Sequence, residues 1–148
     1  MAGTLIIGYG NPLRGDDGLG WHAAVRLEEA LRGRDVRVLK HHQLVPELAE
    51  PVSEADRVIF VDAAVGENPG EMEEQAVLPG QHGSSFSHEF DPPGLLRFAE
   101  KIYGRCPKAT MFTVNGARFG YEEGLSPAVE KALPELIRSV CHSIVEDT

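Results

Sequence analysis

The amino-acid sequence predicts an α/β fold: a three-layer α/β/α sandwich with a mostly parallel sheet of about five strands. Short apolar runs alternate along the chain with stretches of helical periodicity, which is typical of parallel sheets covered by helices. A length of 148 residues fits one domain, over residues 1–148, with an ordinary core. Hydrophobic residues at 42% and charged residues at 25% are normal for a globular protein.

The first half of the chain alternates strands and helices. The apolar run Thr4–Gly8 predicts the first strand. Leucine and alanine residues then recur at helical spacing over Leu19–Leu31, and Gly33 ends that helix. Val36–Leu39 predicts the second strand. A short helix is expected over Leu44–Val52, because one proline lies near its first turn and another limits its end.

The second half continues the alternation. The continuous apolar run Val58–Val61 predicts a buried strand, and Glu71–Leu78 predicts a more exposed one, antiparallel at an edge of the sheet. A loop rich in glycine, serine and histidine follows over Gly80–Asp91. A helix is then expected over Pro92–Tyr103 and a strand over Thr110–Asn115. The resulting order, β-α-β-α-β-β-α-β-α, implies parallel pairing through crossover helices.

The last helix has a clear start signal. Ser126 is a suitable N-cap residue, and Pro127 occupies the first helical position. Apolar residues then recur on one face as far as Ile144. That face includes Cys141, which together with Cys106 shows neither metal-binding nor redox spacing. The cysteine pattern indicates a reduced, cytoplasmic protein.

The charge balance limits the classes of partner. A formal net charge of −9, from 14 Lys+Arg against 23 Asp+Glu, disfavours nucleic-acid binding, which requires a basic face. The N-terminus enters a strand without a charged leader, so no signal peptide is expected. No apolar run approaches the length of a membrane span. We therefore expect neither nucleic-acid nor membrane partners.

The segment between the first strand and the first helix has the glycines of a phosphate-binding loop but carries carboxylates. Gly10 and Gly15 keep the spacing of a Walker A loop, while Asp16 and Asp17 replace its Lys-Ser/Thr pair. The third glycine of a dinucleotide fingerprint would fall at Leu13. Carboxylates repel phosphate and suit a cation or a shared proton. The loop is therefore not a nucleotide site.

Other polar residues can join this loop, because ligands of parallel sheets bind at the carboxyl ends of the strands. Asp17 follows the first strand, Asp62 ends the Val58–Val61 run, and His88 lies in a later loop. Structural alternatives remain open for each: either Asp16 or Asp17 can cap the first helix, Asp62 can close a turn, and His88 can be a surface histidine.

Two features favour a site over these alternatives. One helix needs only one cap, so the second of the paired aspartates is unexplained. Gly18 and Gly20 are also poor choices for a purely structural first turn. The residues alone thus indicate an acidic site with metal-binding potential, in which the part played by histidine stays open.

The run Ile7–Gly20 resembles the signature of the hydrogenase maturation proteases, which trim the C-terminal extension of the large subunit of [NiFe] hydrogenases. Later segments agree with that family in order and spacing. They are Val58–Ala63, Ser87-His88 with the following Leu95-Leu96, and Gly124–Val129. The resemblance covers nearly the whole chain.

The resemblance implies a site and a partner. It assigns the metal contacts to Asp17, Asp62 and His88, and catalysis to Asp17 and Asp62, with Asp16 in a supporting role as a cap or orienting group. No permanent cofactor is expected. The metal would be nickel carried by the large-subunit precursor, for which cadmium or zinc could substitute in vitro. Two carboxylates and one imidazole suit such ions and leave positions open for ligands from the substrate.

Two mechanisms are open at this stage. Substrate-bound metal can polarise the scissile carbonyl or a water molecule. Alternatively, Asp16, Asp17 and Asp62 can share protons while a carboxylate assists the attack of water. The chain has no HExxH helix and no Gly-x-Ser-x-Gly elbow, so an ordinary zinc peptidase or serine hydrolase is not expected.

The sequence leaves other functions and the exact substrate open. A nickel-sensing accessory protein that binds the precursor without cutting it would have the same ligand set, and a small-molecule hydrolase is a weaker alternative. Many relatives carry an Asp-Gly-Gly-Thr motif after the second strand, where this chain has the segment Lys40–Leu48. That segment is expected to border the cleft and to influence substrate choice. Neither the partner hydrogenase nor the oligomeric state is predicted.

Overall fold

Five strands form one sheet in the computed structural model, which describes residues 3–80 and 91–146. The strands are β1 (Thr4–Tyr9), β2 (Val36–His41), β3 (Arg57–Val65), β4 (Met72–Val77) and β5 (Lys108–Gly116). Their order across the sheet is β2-β1-β3-β5-β4. All neighbours pair in parallel except β4, which runs antiparallel to β5 at one edge. The predicted sheet and its antiparallel edge strand are confirmed.

Helices cover both faces of this sheet, as the sequence predicts. They are α1 (Leu19–Ala30), α2 (Ala49–Glu54), α3 (Pro92–Tyr103) and α4 (Pro127–Glu146). Short 3₁₀ turns at Gly15–Gly18 and Pro46–Leu48 precede α1 and α2. The expected helix over Leu44–Val52 is thus shorter at its start and opens as a 3₁₀ turn. No helix in the described part of the chain is long and apolar enough to cross a membrane.

Alternation along the strands creates the two apolar cores. In β1, Leu5 and Ile7 face a cluster that includes residues of α2 and α3, whereas Ile6 faces a cluster that includes residues of α1 and α4. β3 divides in the same way, with Phe60 in the first cluster and Val61 in the second. Because both faces of the central strands are buried, these strands read as continuous apolar runs in the sequence.

Helix α1 approaches the sheet so closely that Gly20 has no room for a side chain. A Cβ atom there would lie 2.3 Å from the Tyr9 carbonyl oxygen and 2.4 Å from the Val61 carbonyl oxygen. Both neighbours are main-chain atoms that a rotamer change cannot move away. Close packing therefore explains why residue 20 is a glycine, and a glycine in the first turn of α1 is not by itself a sign of function. The close approach brings the start of α1 against the end of β1 and the middle of β3.

We predict that Gly20→Ala destabilises the fold by about 2 kcal/mol or more, because the added methyl group overpacks a rigid main-chain contact. The free energy of unfolding in urea measures this effect. Gly120→Ala is the matched control, since a Cβ atom at Gly120 would meet no atom within 4 Å. Its unfolding free energy should stay within about 0.5 kcal/mol of the wild type. Equal stability of the two variants would contradict the packing argument.

Candidate active site

A cleft of about 620 Å³ opens beyond the end of β1 and beside Asp62, which lies in the C-terminal half of β3. This position at the carboxyl ends of parallel strands is where open α/β sheets bind ligands. Asp17 and Asp62 both line the cleft. The full lining is Tyr9, Gly10, Asn11, Arg14, Asp17, His42, Gln43, Leu44 and Asp62.

The loop after β1 positions Asp17 through its own main chain. Gly10 has a φ of 143°, and a Cβ atom there would lie 1.9 Å from the Asp17 carbonyl oxygen, so only glycine fits this crossing. The Asn11 amide donates a hydrogen bond of 2.9 Å to Asp17 Oδ2. Within residues 3–80 and 91–146, Asp17 Oδ1 accepts no hydrogen bond, so this half-buried carboxylate keeps one oxygen available to the cleft.

Asp62 lies beside Asp17 in the same cleft, in surroundings that favour its protonated form. Burial raises its pKa to about 7, and the negative charge of Asp17 acts in the same direction. The Ala63 amide, 2.7 Å from Asp62 Oδ1, and the Tyr9 hydroxyl donate hydrogen bonds that partly oppose this rise. A carboxyl group that titrates near neutral pH is suited to general acid–base chemistry.

Tyr9 is a site residue that the sequence reasoning missed. Burial, and then the negative charge of Asp62, raise the pKa of its phenol well above the usual range. The hydroxyl therefore remains a hydrogen-bond donor toward Asp62 at any physiological pH. Its signal in the sequence was a single tyrosine between Gly8 and Gly10, at the point where the apolar strand meets the glycine-rich loop.

Asp16 faces away from the cleft and is fully buried. Its Oδ1 accepts a 2.7 Å hydrogen bond from the Ser126 amide, and its Oδ2 accepts bonds from the Ser126 hydroxyl and from the amides of Ala117 and Arg118. Although burial acts to raise the pKa of Asp16, these four donors lower it below its usual value. The carboxylate thus fastens the Asp17 loop to the segment after β5. Its supporting role in a reaction stays a prediction.

The helix-cap alternative for the paired aspartates is not observed. The 3₁₀ turn Gly15–Gly18 is preceded by Arg14, and α1 is preceded by Gly18, with no side-chain capping bond at either position. Neither Asp16 nor Asp17 is therefore explained by helix capping.

The segment after β2 borders the cleft, as expected. His42, Gln43 and Leu44 are part of its lining. The His42 ring meets Trp21 edge to face, with 5.1 Å between ring centroids, and the Lys40 ammonium lies 5.6 Å from the Trp21 centroid. His42 thus lines this side of the cleft, and behind it the Trp21 ring and the Lys40 ammonium pack outside the lining.

The third predicted metal contact, His88, lies outside the described residues. Among residues 3–80 and 91–146, no group of three His, Cys, Asp or Glu side chains could hold a metal ion. Asp17 and Asp62 by themselves supply two oxygen ligands, fewer than the three or four protein ligands usual for a resident transition metal. The three-residue metal set stays a prediction.

The chain was compared with known protein families, sequences and structures, and the structures share its fold. No protein-family model and no curated protein sequence matches the chain. The hydrogenase maturating endopeptidase HybD from E. coli is 24% identical, with 98% of this chain and 93% of that chain covered and a TM-score of 0.75. The fold is that of the hydrogenase maturation proteases.

Two archaeal structures agree with this result. The [NiFe] hydrogenase maturation protease HycI from Thermococcus kodakarensis is 23% identical, with 95% of this chain and 91% of that chain covered and a TM-score of 0.78. The hydrogenase 2 maturation peptidase from Thaumarchaeota archaeon is 23% identical, with 96% and 97% covered and a TM-score of 0.72. The fold implied by the resemblance in the sequence is confirmed.

We predict that Asp16→Asn lowers the free energy of unfolding by about 3 kcal/mol or more, because the new amide group must face at least one buried N–H donor. Urea unfolding at neutral pH measures this loss. Asp17→Asn is the matched control: its amide oxygen can still accept from Asn11, so its change should stay below about 1 kcal/mol. A smaller loss for Asp16→Asn than for Asp17→Asn would contradict the assignment of Asp16 as the fastening group.

We also predict that Asp62 makes folding stability fall as the pH rises. Its pKa of about 7 in the folded protein exceeds the ordinary value of 3.8. The folded state therefore binds more protons between these values, and its stability decreases from the lower pKa to the upper one. The decrease should be on the order of 1 to 3 kcal/mol and absent in Asp62→Asn.

The measurement is the difference in unfolding free energy between wild type and Asp62→Asn, taken from about pH 4 to about pH 8 in the presence of a chelator. Subtraction removes the titration of all other groups that the substitution leaves unchanged. A difference that does not vary with pH would show that Asp62 titrates as an ordinary carboxyl group.

Proposed function

We propose that the protein is a cytoplasmic endopeptidase that removes the C-terminal extension of a [NiFe] hydrogenase large-subunit precursor after nickel insertion. The observation that carries this proposal is the pair Asp17 and Asp62, which share one cleft at the carboxyl edge of the sheet. The sheet itself has the fold of proteins named as hydrogenase maturation proteases. Motifs along nearly the whole sequence resemble that family as well.

The two carboxylates would do different work in this reaction. Asp17, with one oxygen available to the cleft, would contact the nickel that the precursor carries. Asp62, whose pKa is about 7, exists in both protonation states at neutral pH. Its deprotonated form can take a proton from a water molecule that attacks the scissile carbonyl carbon, and can return that proton to the amine nitrogen as the C–N bond breaks.

Tyr9 and the nickel would support this step. The Tyr9 hydroxyl donates to Asp62 and holds its carboxyl group in one orientation. Nickel in the precursor would act as a Lewis acid on the carbonyl or on the water molecule. His88 would complete the protein's contacts with that ion. The metal belongs to the substrate in this proposal, so the enzyme needs no permanent cofactor.

We expect the wild-type protein to cleave a nickel-loaded large-subunit precursor, and to leave a nickel-free precursor and an unrelated peptide intact. Asp17→Asn and Asp62→Asn should each reduce cleavage by about 100-fold or more, the size expected for a lost acid–base or metal contact. His88→Ala should weaken cleavage. The products are measured by mass spectrometry, and unfolding curves verify that each variant is folded.

Asp56→Asn is the matched control, because Asp56 is exposed and pairs with Arg105 at 3.2 Å rather than lining the cleft. It should cleave like the wild type. Equal cleavage of nickel-loaded and nickel-free precursor would overturn the part assigned to nickel. Tight binding of the nickel-loaded precursor without any cleavage would instead identify a nickel-sensing accessory protein.

A further inference from the structure

Arg14 is an exposed cation at the mouth of the cleft whose floor carries Asp17 and Asp62. Five other arginines in the described part of the chain pair with carboxylates: Arg26, Arg32, Arg105, Arg118 and Arg138. Arg14 makes no ion pair there, although acidic residues outnumber basic ones by 23 to 14. Its charge therefore has no carboxylate partner within residues 3–80 and 91–146. Arg34, Arg37 and Arg97 show no ion pair among the described residues either, but they do not line the cleft.

Arg14 is nevertheless held in place. Its guanidinium carbon lies 4.9 Å from the centroid of the Tyr121 ring, a cation–π contact. Tyr121 itself is 87% exposed, so the ring is not held there by a core. A tyrosine left on the surface with an arginine on its face leaves the N–H groups at the guanidinium edge free to bind an anion.

Main-chain hydrogen bonds join the loop that carries Arg14 to the loop that carries Tyr121. The Gly15 amide donates to the Glu122 carbonyl at 2.7 Å, and the Asp16 amide donates to the Arg118 carbonyl at 2.7 Å. These bonds tie the residues next to Arg14 to the residues on either side of Tyr121. The main chain that carries Arg14 is therefore fixed before any ligand arrives, and the cation–π contact restricts the side chain, which lowers the entropy lost on binding.

Arg14 forms no ion pair with the acidic floor. Among the described residues, no salt bridge joins it to Asp17 or Asp62, although all three line the same cleft. The floor and the mouth of the cleft thus present opposite charges. A ligand that matches both has an electrophilic centre at the floor and an anionic group at the mouth.

We propose that Arg14, held on the Tyr121 ring, is a specificity-determining residue that binds a carboxylate side chain of the substrate polypeptide close to the cleavage site. This inference rests on the proposed endopeptidase function and adds the chemical class of the recognised group. A guanidinium edge binds a carboxylate through two parallel hydrogen bonds, which an ammonium group cannot reproduce.

The test compares Arg14→Gln and Arg14→Lys with the wild type on nickel-loaded large-subunit precursor. Loss of a charge-assisted contact at an exposed site should raise KM about 10-fold in Arg14→Gln while kcat stays within about twofold. Arg14→Lys should recover only part of this loss. Tyr121→Leu should raise KM less than Arg14→Gln does, and Tyr121→Phe, which keeps the ring, should behave like the wild type.

Arg26→Gln is the matched control, because the Arg26 side chain is about half exposed, pairs with Glu130 at 3.2 Å and does not line the cleft. Its KM should not change. In the precursor, each Asp or Glu near the cleavage site is changed in turn to Asn or Gln. One of these changes should raise KM as Arg14→Gln does, and combining the two should cause no further loss.

An unchanged KM for Arg14→Gln, or equal losses for every acidic position of the precursor, would overturn the inference. Binding of the same precursor, measured in parallel, separates this result from a failure of the proposed function. If wild type binds but does not cleave, the endopeptidase proposal fails, and the dissociation constants of the Arg14 variants still decide the role of Arg14. If wild type neither binds nor cleaves, both proposals fail.

Discussion

The buried carboxylate of Asp16 is the interaction on which the arrangement of the cleft depends. It accepts hydrogen bonds from residues that lie 101 to 110 positions away in the sequence. A buried charge is costly unless donors satisfy it, and here four donors surround the two oxygens. The bonds join the loop after β1 to the segment after β5 and to the start of α4. Because Asp17 is the next residue in the chain, the hydrogen bonds of Asp16 also help to fix its position.

The aspartates near this edge of the sheet differ in pKa because their surroundings differ. The donors around Asp16 hold its pKa below the usual range and keep it charged. Burial raises the pKa of Asp62, and the nearby charge of Asp17 adds to that rise. Opposite pKa shifts in neighbouring carboxyl groups separate a group that stays ionised from one that exchanges protons. The same residue type is therefore held ionised at one position and can exchange protons near neutral pH at another.

The sequence predicted the sheet well because its central strands are buried on both faces. Val58–Val61 can be recognised as a strand from its apolar run alone. The expectation that this strand ends at Asp62 was wrong, because β3 continues to Val65 through its pairing with β5, and Asp62 lies within it. The anchor around Asp16 could not be predicted in this way. Its donors include main-chain amides of Ala117 and Arg118, which have no residue-type signature, and its position depends on how β5 ends.

The close packing at Gly20 and the surface contact between Arg14 and Tyr121 could not be predicted from the sequence either. Position 20 must be glycine because one carbonyl oxygen of β1 and one of β3 approach it, which depends on where α1 lies against the sheet and not on the local sequence pattern. The contact between Arg14 and Tyr121 joins residues of two loops whose approach follows from the Asp16 anchor. Side chains that meet through tertiary structure can be assigned only once the main-chain path is known.

The cleft combines an acidic floor with a rim that includes Arg14 and His42. On the proposed function, this distribution has a physical consequence for the order of events. Two carboxylates bind a free metal ion weakly. A metal ion that is already bound to a polypeptide brings additional contacts, because the polypeptide can also bind to the rim of the cleft. Binding free energy from the rim can then hold the precursor while Asp62 handles the proton. Because Asp16 fastens the loop bearing both Asp17 and Arg14, the metal-facing and peptide-facing groups would engage the precursor as one rigid unit.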